Sequence, residues 1–202
     1  VGVRPQEEGK RRTNPLRLPW VDRQLATLVD GQTLYVTNRF QLAAYDLATG
    51  ERKWHRETPP EKMLRSQDWP LIPMHPLIVG DRIVTRLLFS DSPFLAGFEK
   101  STGKILWTTE NRERELLVSD PLLIDGDLVA LSLLLEPDQR GLLRHCVFDP
   151  QWGQIVKQRD LVRLRGLWGE RACCEVASWE GGLVACLGGA TISIDRAGQV
   201  RW

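Results

Sequence analysis

Leu42-Ala43-Ala44-Tyr45-Asp46-Leu47-Ala48-Thr49-Gly50-Glu51-Arg52-Lys53-Trp54 reads as strand, turn, strand. Small and apolar residues run into Asp46, whose side chain can cap a tight turn. Gly50 supplies the positive φ that such a turn needs. Trp54, four residues on, offers a large flat ring that is expected to pack between neighbouring sheets.

The same grammar recurs downstream. Phe98 to Trp107 keeps the acid Glu99, the turn glycine Gly103 and Trp107 at identical spacing. Phe148 to Lys157 keeps Asp149 and Gly153 but has Lys157 where a tryptophan is expected. Ile194 to Trp202 restores the ring, with Asp195, Gly198 and Trp202 and a turn one residue shorter. The four glycines lie 53, 50 and 45 residues apart, the length of one four-stranded propeller blade.

The totals place limits on function. The chain has 202 residues, 42% hydrophobic and 26% charged, an ordinary globular composition able to bury a core. A net charge of +1 gives no bulk field for nucleic acid or anionic lipid. No apolar run approaches the ~18 residues of a membrane span, so no transmembrane segment is expected. The chain starts at Val1 and stops on the motif residue Trp202, and is expected to be a piece of a longer protein. Cys146, Cys173, Cys174 and Cys186 match no zinc spacing, and Cys146 and Cys186 are expected to be buried apolar thiols.

Along the chain, residues 1–19 are polar, proline-bearing and mildly basic, and read as a linker or extended arm. Four blades follow at about 20–58, 74–110, 117–160 and 172–202. Glu57 to Pro73 reads as an irregular connection. Ile155 to Gln158 is expected to be a weak outer strand, because its tryptophan is missing. Asp160 to Arg171 reads as a basic, glycine-broken connector. Period-two patterning and Gly- or Asp-rich turns ask for no long helix.

These repeats resemble the quinoprotein (PQQ-like) β-propeller repeat, shared by quinoprotein alcohol dehydrogenases, BamB-type outer-membrane assembly lipoproteins and planctomycete PQQ-binding-like repeat proteins. The resemblance covers Trp20 to Trp202. It implies an all-β fold of about four blades, a partial ring that further material would extend toward eight. Each blade has two apolar faces that only the next blade can bury, which points to a continuous array.

The candidate chemistry is sparse. Cys173-Cys174 resembles the vicinal disulfide that stacks on the cofactor in PQQ-dependent alcohol dehydrogenases, but Ala177-Ser178-Trp179 stands where that family has Asn-Arg-Gly. His55, His75 and His145 lie on three different blades and read as ordinary surface or loop histidines. Asp46, Glu99, Asp149 and Asp195 each start a turn and read as caps. Arg159 to Arg165 reads as solvated surface.

The expected function is therefore a non-catalytic interaction scaffold, with a protein partner or further blades, no nucleic acid and no cofactor. The resemblance implies a periplasmic or cell-envelope location. The alternatives are a fragment of a PQQ-dependent dehydrogenase, which would carry PQQ and calcium, with Cys173 and Cys174 over the quinone, and a sensor domain of a larger protein.

Overall fold

The computed structural model describes residues 25–38, 40–57, 74–89, 92–109, 114–138, 140–165, 174–187 and 189–202. The expected arm, the start of the first blade at Trp20, the stretch 58–73 and Cys173 lie outside them. All regular structure among the described residues is strand.

The first blade is β1 (Ala26–Asp30), β2 (Thr33–Thr37), β3 (Gln41–Asp46) and β4 (Arg52–Glu57), paired antiparallel in sequence order. The second is β5 (Leu77–Val79), β6 (Arg82–Phe89), β7 (Ser92–Glu99) and β8 (Ile105–Thr108), in the same order. In the third blade, β9 (Glu115–Leu117) and β10 (Leu122–Ile124) both pair with β11 (Asp127–Glu136), followed by β12 (Arg140–Phe148) and β13 (Ile155–Arg165). The fourth is β14 (Cys174–Trp179), β15 (Gly182–Leu187) and β16 (Ala190–Ile194), extended by a bridge from Ile194 to Val200.

These are four successive β-propeller blades. In an up-and-down sheet the turns after the first and third strands share one end. The turn after the second strand and the link to the next blade share the other. We call these the turn end and the connection end.

The core lies between blades. Tyr35, Leu42, Ala44 and Trp54 meet Ile83, Leu87, Ala96 and Phe98. Val84, Leu95 and Trp107 meet Leu117, Leu128, Ala130, Cys146 and Phe148. Val129, Leu131, Leu143 and Val147 meet Cys174, Leu183, Ala185, Leu187 and Ile194. Each fully buried Leu or Phe stabilises the stack by about 1.5–3 kcal/mol. Strands of the middle blades are covered on both sides, so β11 runs through six consecutive buried residues from Leu128 to Leu133 without alternating.

Two expectations are corrected. The outer strand of the third blade is not weak: β13 has 11 residues and takes in 160–165, part of the stretch read as connector, while Arg159, Arg163 and Arg165 on it are exposed. A register shift between Leu143 and Arg144 leaves Leu161 as the extra residue, since Val162 faces Leu143 and Asp160 faces Arg144. Leu161, Val162 and Leu164 therefore pack together against the third joint. In the same blade the first strand is split by Ser119-Asp120-Pro121, where proline cannot donate to the ladder and the Ser119 hydroxyl accepts the Leu131 N–H at 2.8 Å instead. Second, Cys186 is exposed, with Sγ 3.3 Å from the Thr191 hydroxyl, whereas Cys146 is buried as expected.

Candidate functional site

Two joints are pinned at the turn end by one device. The Trp54 indole donates its Nε1–H to the Lys100 carbonyl at 3.0 Å and lies over Gly103, where an added Cβ would come within 2.5 Å of the ring. Trp107 donates to the Pro150 carbonyl at 3.1 Å and lies over Gly153, where a Cβ would come within 2.2 Å. Each tryptophan also pairs with a small residue of its own third strand, Ala44 for Trp54 and Gly97 for Trp107. The turn glycine of one blade is thus the seat for the ring of the blade before. It must have positive φ (+68° at Gly103, +70° at Gly153) and carry no side chain.

The turn acids hold the turn of each blade. Asp46 Oδ1 accepts the N–H groups of Ala48 and Thr49 at 3.0 and 3.1 Å. The Thr49 N–H, then Lys53 and the Ala48 N–H, hold its carboxyl below the usual range. Asp149 accepts from Gln151 and Trp152, Glu99 from the Thr102 hydroxyl, and Asp195 from Gln199 at 2.8 Å. The Gln199 N–H is the main cause of a lowered Asp195 pKa. Polar ties at the same end run blade to blade: Lys100 to Asp30, Arg82 to the Pro150 carbonyl, Arg196 to Asp125.

The two outermost motif positions differ. A Cβ at Gly50 would meet nothing within 4 Å among the described residues, and Trp202 is 60% exposed.

The third joint lacks the ring. Lys157 is exposed, and its cross-strand partner is Val147 instead of a small residue. An indole laid on this face would collide with that side chain. Gly198 of the fourth blade instead faces His145, whose ring atoms lie 3.0–3.5 Å from where its Cβ would be. His145 is buried, not a surface or loop residue as its sequence context suggested. Burial is the first cause of its lowered pKa, followed by Lys157 and Arg159. Arg159, two residues after Lys157, donates to the Ala197 carbonyl at 3.2 Å. Arg56, two residues after Trp54, likewise donates to the Gly103 carbonyl at 2.9 Å.

The connection end carries a charged cluster that sequence reading missed. His75 and Asp120 both precede a proline that opens a first strand. The backbone N–H and Nδ1 of His75 lie 2.9 Å from Asp120 Oδ2. The other carboxylate oxygen is 3.3 Å from Nε of the fully buried Arg86, close but not aligned for a hydrogen bond. Arg86 Nη1 donates to the Leu117 carbonyl at 3.2 Å. The hydrogen bond to Asp120 raises the His75 pKa above its ordinary value. The equivalent X-Pro placement of the two residues was the available signal. Within the third blade, Glu115 accepts from Ser132 at 2.6 Å and Gln158 at 2.7 Å, and Arg144 bonds Asp160 at 2.9 Å. These bonds tie the split first strand to the outermost one.

Among the described residues, the exposed large apolar side chains are unevenly placed. Val29, Leu47, Ile105, Leu106, Leu123, Trp152, Val156, Trp179, Val200 and Trp202 are exposed, and each lies within four residues of a turn-end glycine. Leu25 is the exception. Cys174 is buried and opens β14. Among the described residues no three His, Cys, Asp or Glu side chains converge as a metal site.

A family model described as outer membrane protein assembly factor BamB matches residues 17–166. The chain belongs to this family. The BamB-type match spans the first three blades and stops before the fourth. Among solved structures, BamB from Moraxella catarrhalis is similar, with a TM-score of 0.55 and 18% identity over 88% of this chain and 51% of that one. Quinohemoprotein alcohol dehydrogenase from Comamonas testosteroni shares the fold at a TM-score of 0.63 and 10% identity, over 88% of this chain and 34% of that one. A protein of unknown function from Bacteroides caccae matches at 0.55 and 11%, over 85% and 57%. The chain spans about half the length of the BamB structure it resembles. No curated protein matches it in sequence.

Proposed function

We propose that this BamB-family chain is a non-catalytic scaffold of the cell envelope that engages a protein partner through the turn end of its blades. The observation that carries this reading is the gathering, among the described residues, of exposed Trp, Leu, Ile and Val side chains at that end. Apolar groups concentrated on one surface favour protein contact over solvation. Family membership supports the envelope location. The scaffold needs no cofactor: its rigidity comes from stacked blades.

Photo-crosslinking residues placed at Trp152 and Trp179, and at Glu136 and Asp138 on the connection end, test the proposal in cells. Protein adducts are expected from the first pair and not the second. Adducts only from the second pair would refute the assignment of the face. Supplying PQQ and calcium to the purified protein is expected to give no dye-linked alcohol oxidation. A cofactor-dependent turnover would replace the scaffold with the dehydrogenase alternative.

A further inference from the structure

The blade 3–blade 4 joint has replaced an inert ring with a titratable one. His145 sits on β12 four residues before the turn acid Asp149, where the first two blades have Leu42 and Leu95. It is 1% exposed, and its Nδ1 is buried without a hydrogen-bond partner. The neutral ring with its proton on Nε2 leaves only a bare lone pair on Nδ1. A second proton would create a buried N–H and a charge with no acceptor, pressed against the Gly198 turn, which is costly. The charged groups around the ring are Lys157 and Arg159 on β13, Asp127 at the start of β11 and Asp195 in the fourth-blade turn. The two cations act against the added charge and the two carboxylates for it.

We propose that this joint is a proton-sensitive seam: protonation of His145 loosens the fourth blade from the third and leaves the two tryptophan-docked joints intact. Among the described residues few other ties cross this seam at the turn end. Arg196–Asp125 is a solvent-exposed pair, which contributes little, and the Arg159 bond to Ala197 is also exposed. The apolar core of the seam remains, so blade 4 frays without the molecule unfolding. The sign follows from linkage. A histidine whose folded pKa is depressed leaves the unfolded state holding more protons once the pH falls below the ordinary imidazole value. Local stability is therefore lost as the pH drops through that window, and levels off below the folded pKa.

Amide hydrogen exchange on the full chain between pH 7.5 and 5.5, corrected for intrinsic rates, reads this directly. Protection of residues 190–202 is expected to fall below pH 6.5, by at most about tenfold per pH unit for one proton. The turns at Gly103 and Gly153 serve as internal controls. His145→Leu, which installs the residue of the other blades, and His145→Gln are each expected to abolish the fall. Protection of 190–202 that is flat with pH, or a fall that persists in either folded variant, overturns the proposal. An NMR titration of the wild-type His145 ring needs no variant: a ring that titrates at or above the ordinary imidazole value also overturns it.

Discussion

The joint between blades 2 and 3 and the joint between blades 3 and 4 solve one problem with different side chains. Both bring a third-to-fourth-strand turn of one blade under a ring of the blade before. At the first, Trp107 is held between Gly97 and Gly153 and donates to Pro150. At the second, Lys157 points outward, Val147 occupies the space, and His145 fills the seat at Gly198. The difference shows that the seat is the constant feature and the ring that fills it can change. The indole adds a directed hydrogen bond and no titration. The imidazole fills less volume and brings a proton equilibrium into the core.

The comparison breaks most visibly when the ring is removed. Trp107→Ala is expected to cost about 3–5 kcal/mol in urea unfolding, through lost packing and the loss of the indole hydrogen bond to the Pro150 carbonyl. Next comes the charged cluster on the other side of the same joint. Asp120→Asn removes the counter-charge of the buried Arg86 and is expected to cost about 3 kcal/mol, read the same way. Gly50→Ala isolates the backbone contribution, because no described side chain lies over it; the positive φ alone is expected to cost about 1–2 kcal/mol.

Smaller still is a pH effect. The folded pKa of His75 is raised, so its contribution is fully present below the ordinary imidazole value and is lost as pH rises through the raised one. Its side chain is 64% exposed, and screening keeps the effect below about 1 kcal/mol. Asp120→Asn is expected to flatten this limb, which runs opposite in sign to that of His145. The smallest effect is Lys157→Ala, expected within about 0.5 kcal/mol by thermal unfolding. A large loss there would show that the third joint depends on the lysine and not on His145.

Much of the blade framework was legible in sequence, because acid, glycine and tryptophan at fixed spacing encode a turn and its ring locally. What the ring rests on was not. The seat of Trp54 is Gly103, 49 residues away, and no local pattern states that relation. His145 was misread because β12 is covered on both sides. Leu142-Leu143-Arg144-His145-Cys146-Val147-Phe148 shows no alternation from which to infer a buried face. The bulge at Leu161 shifted the apolar period in β13 and made a strand look like a charged connector. β9 is three residues long and left no period to find. Of the candidate cysteines, Cys174 lies buried at the head of β14, a placement that adjacency in sequence does not specify.

The central claim is that a turn glycine of one blade seats the tryptophan of the blade before. Its most direct test is the cost of Gly153→Ala with and without Trp107. In the wild-type background the added methyl meets both the positive φ and the indole, and is expected to cost about 3–4 kcal/mol. In the Trp107→Ala background only the backbone strain remains, and the cost is expected to fall to about 1–2 kcal/mol. An equal cost in both backgrounds would contradict the claim.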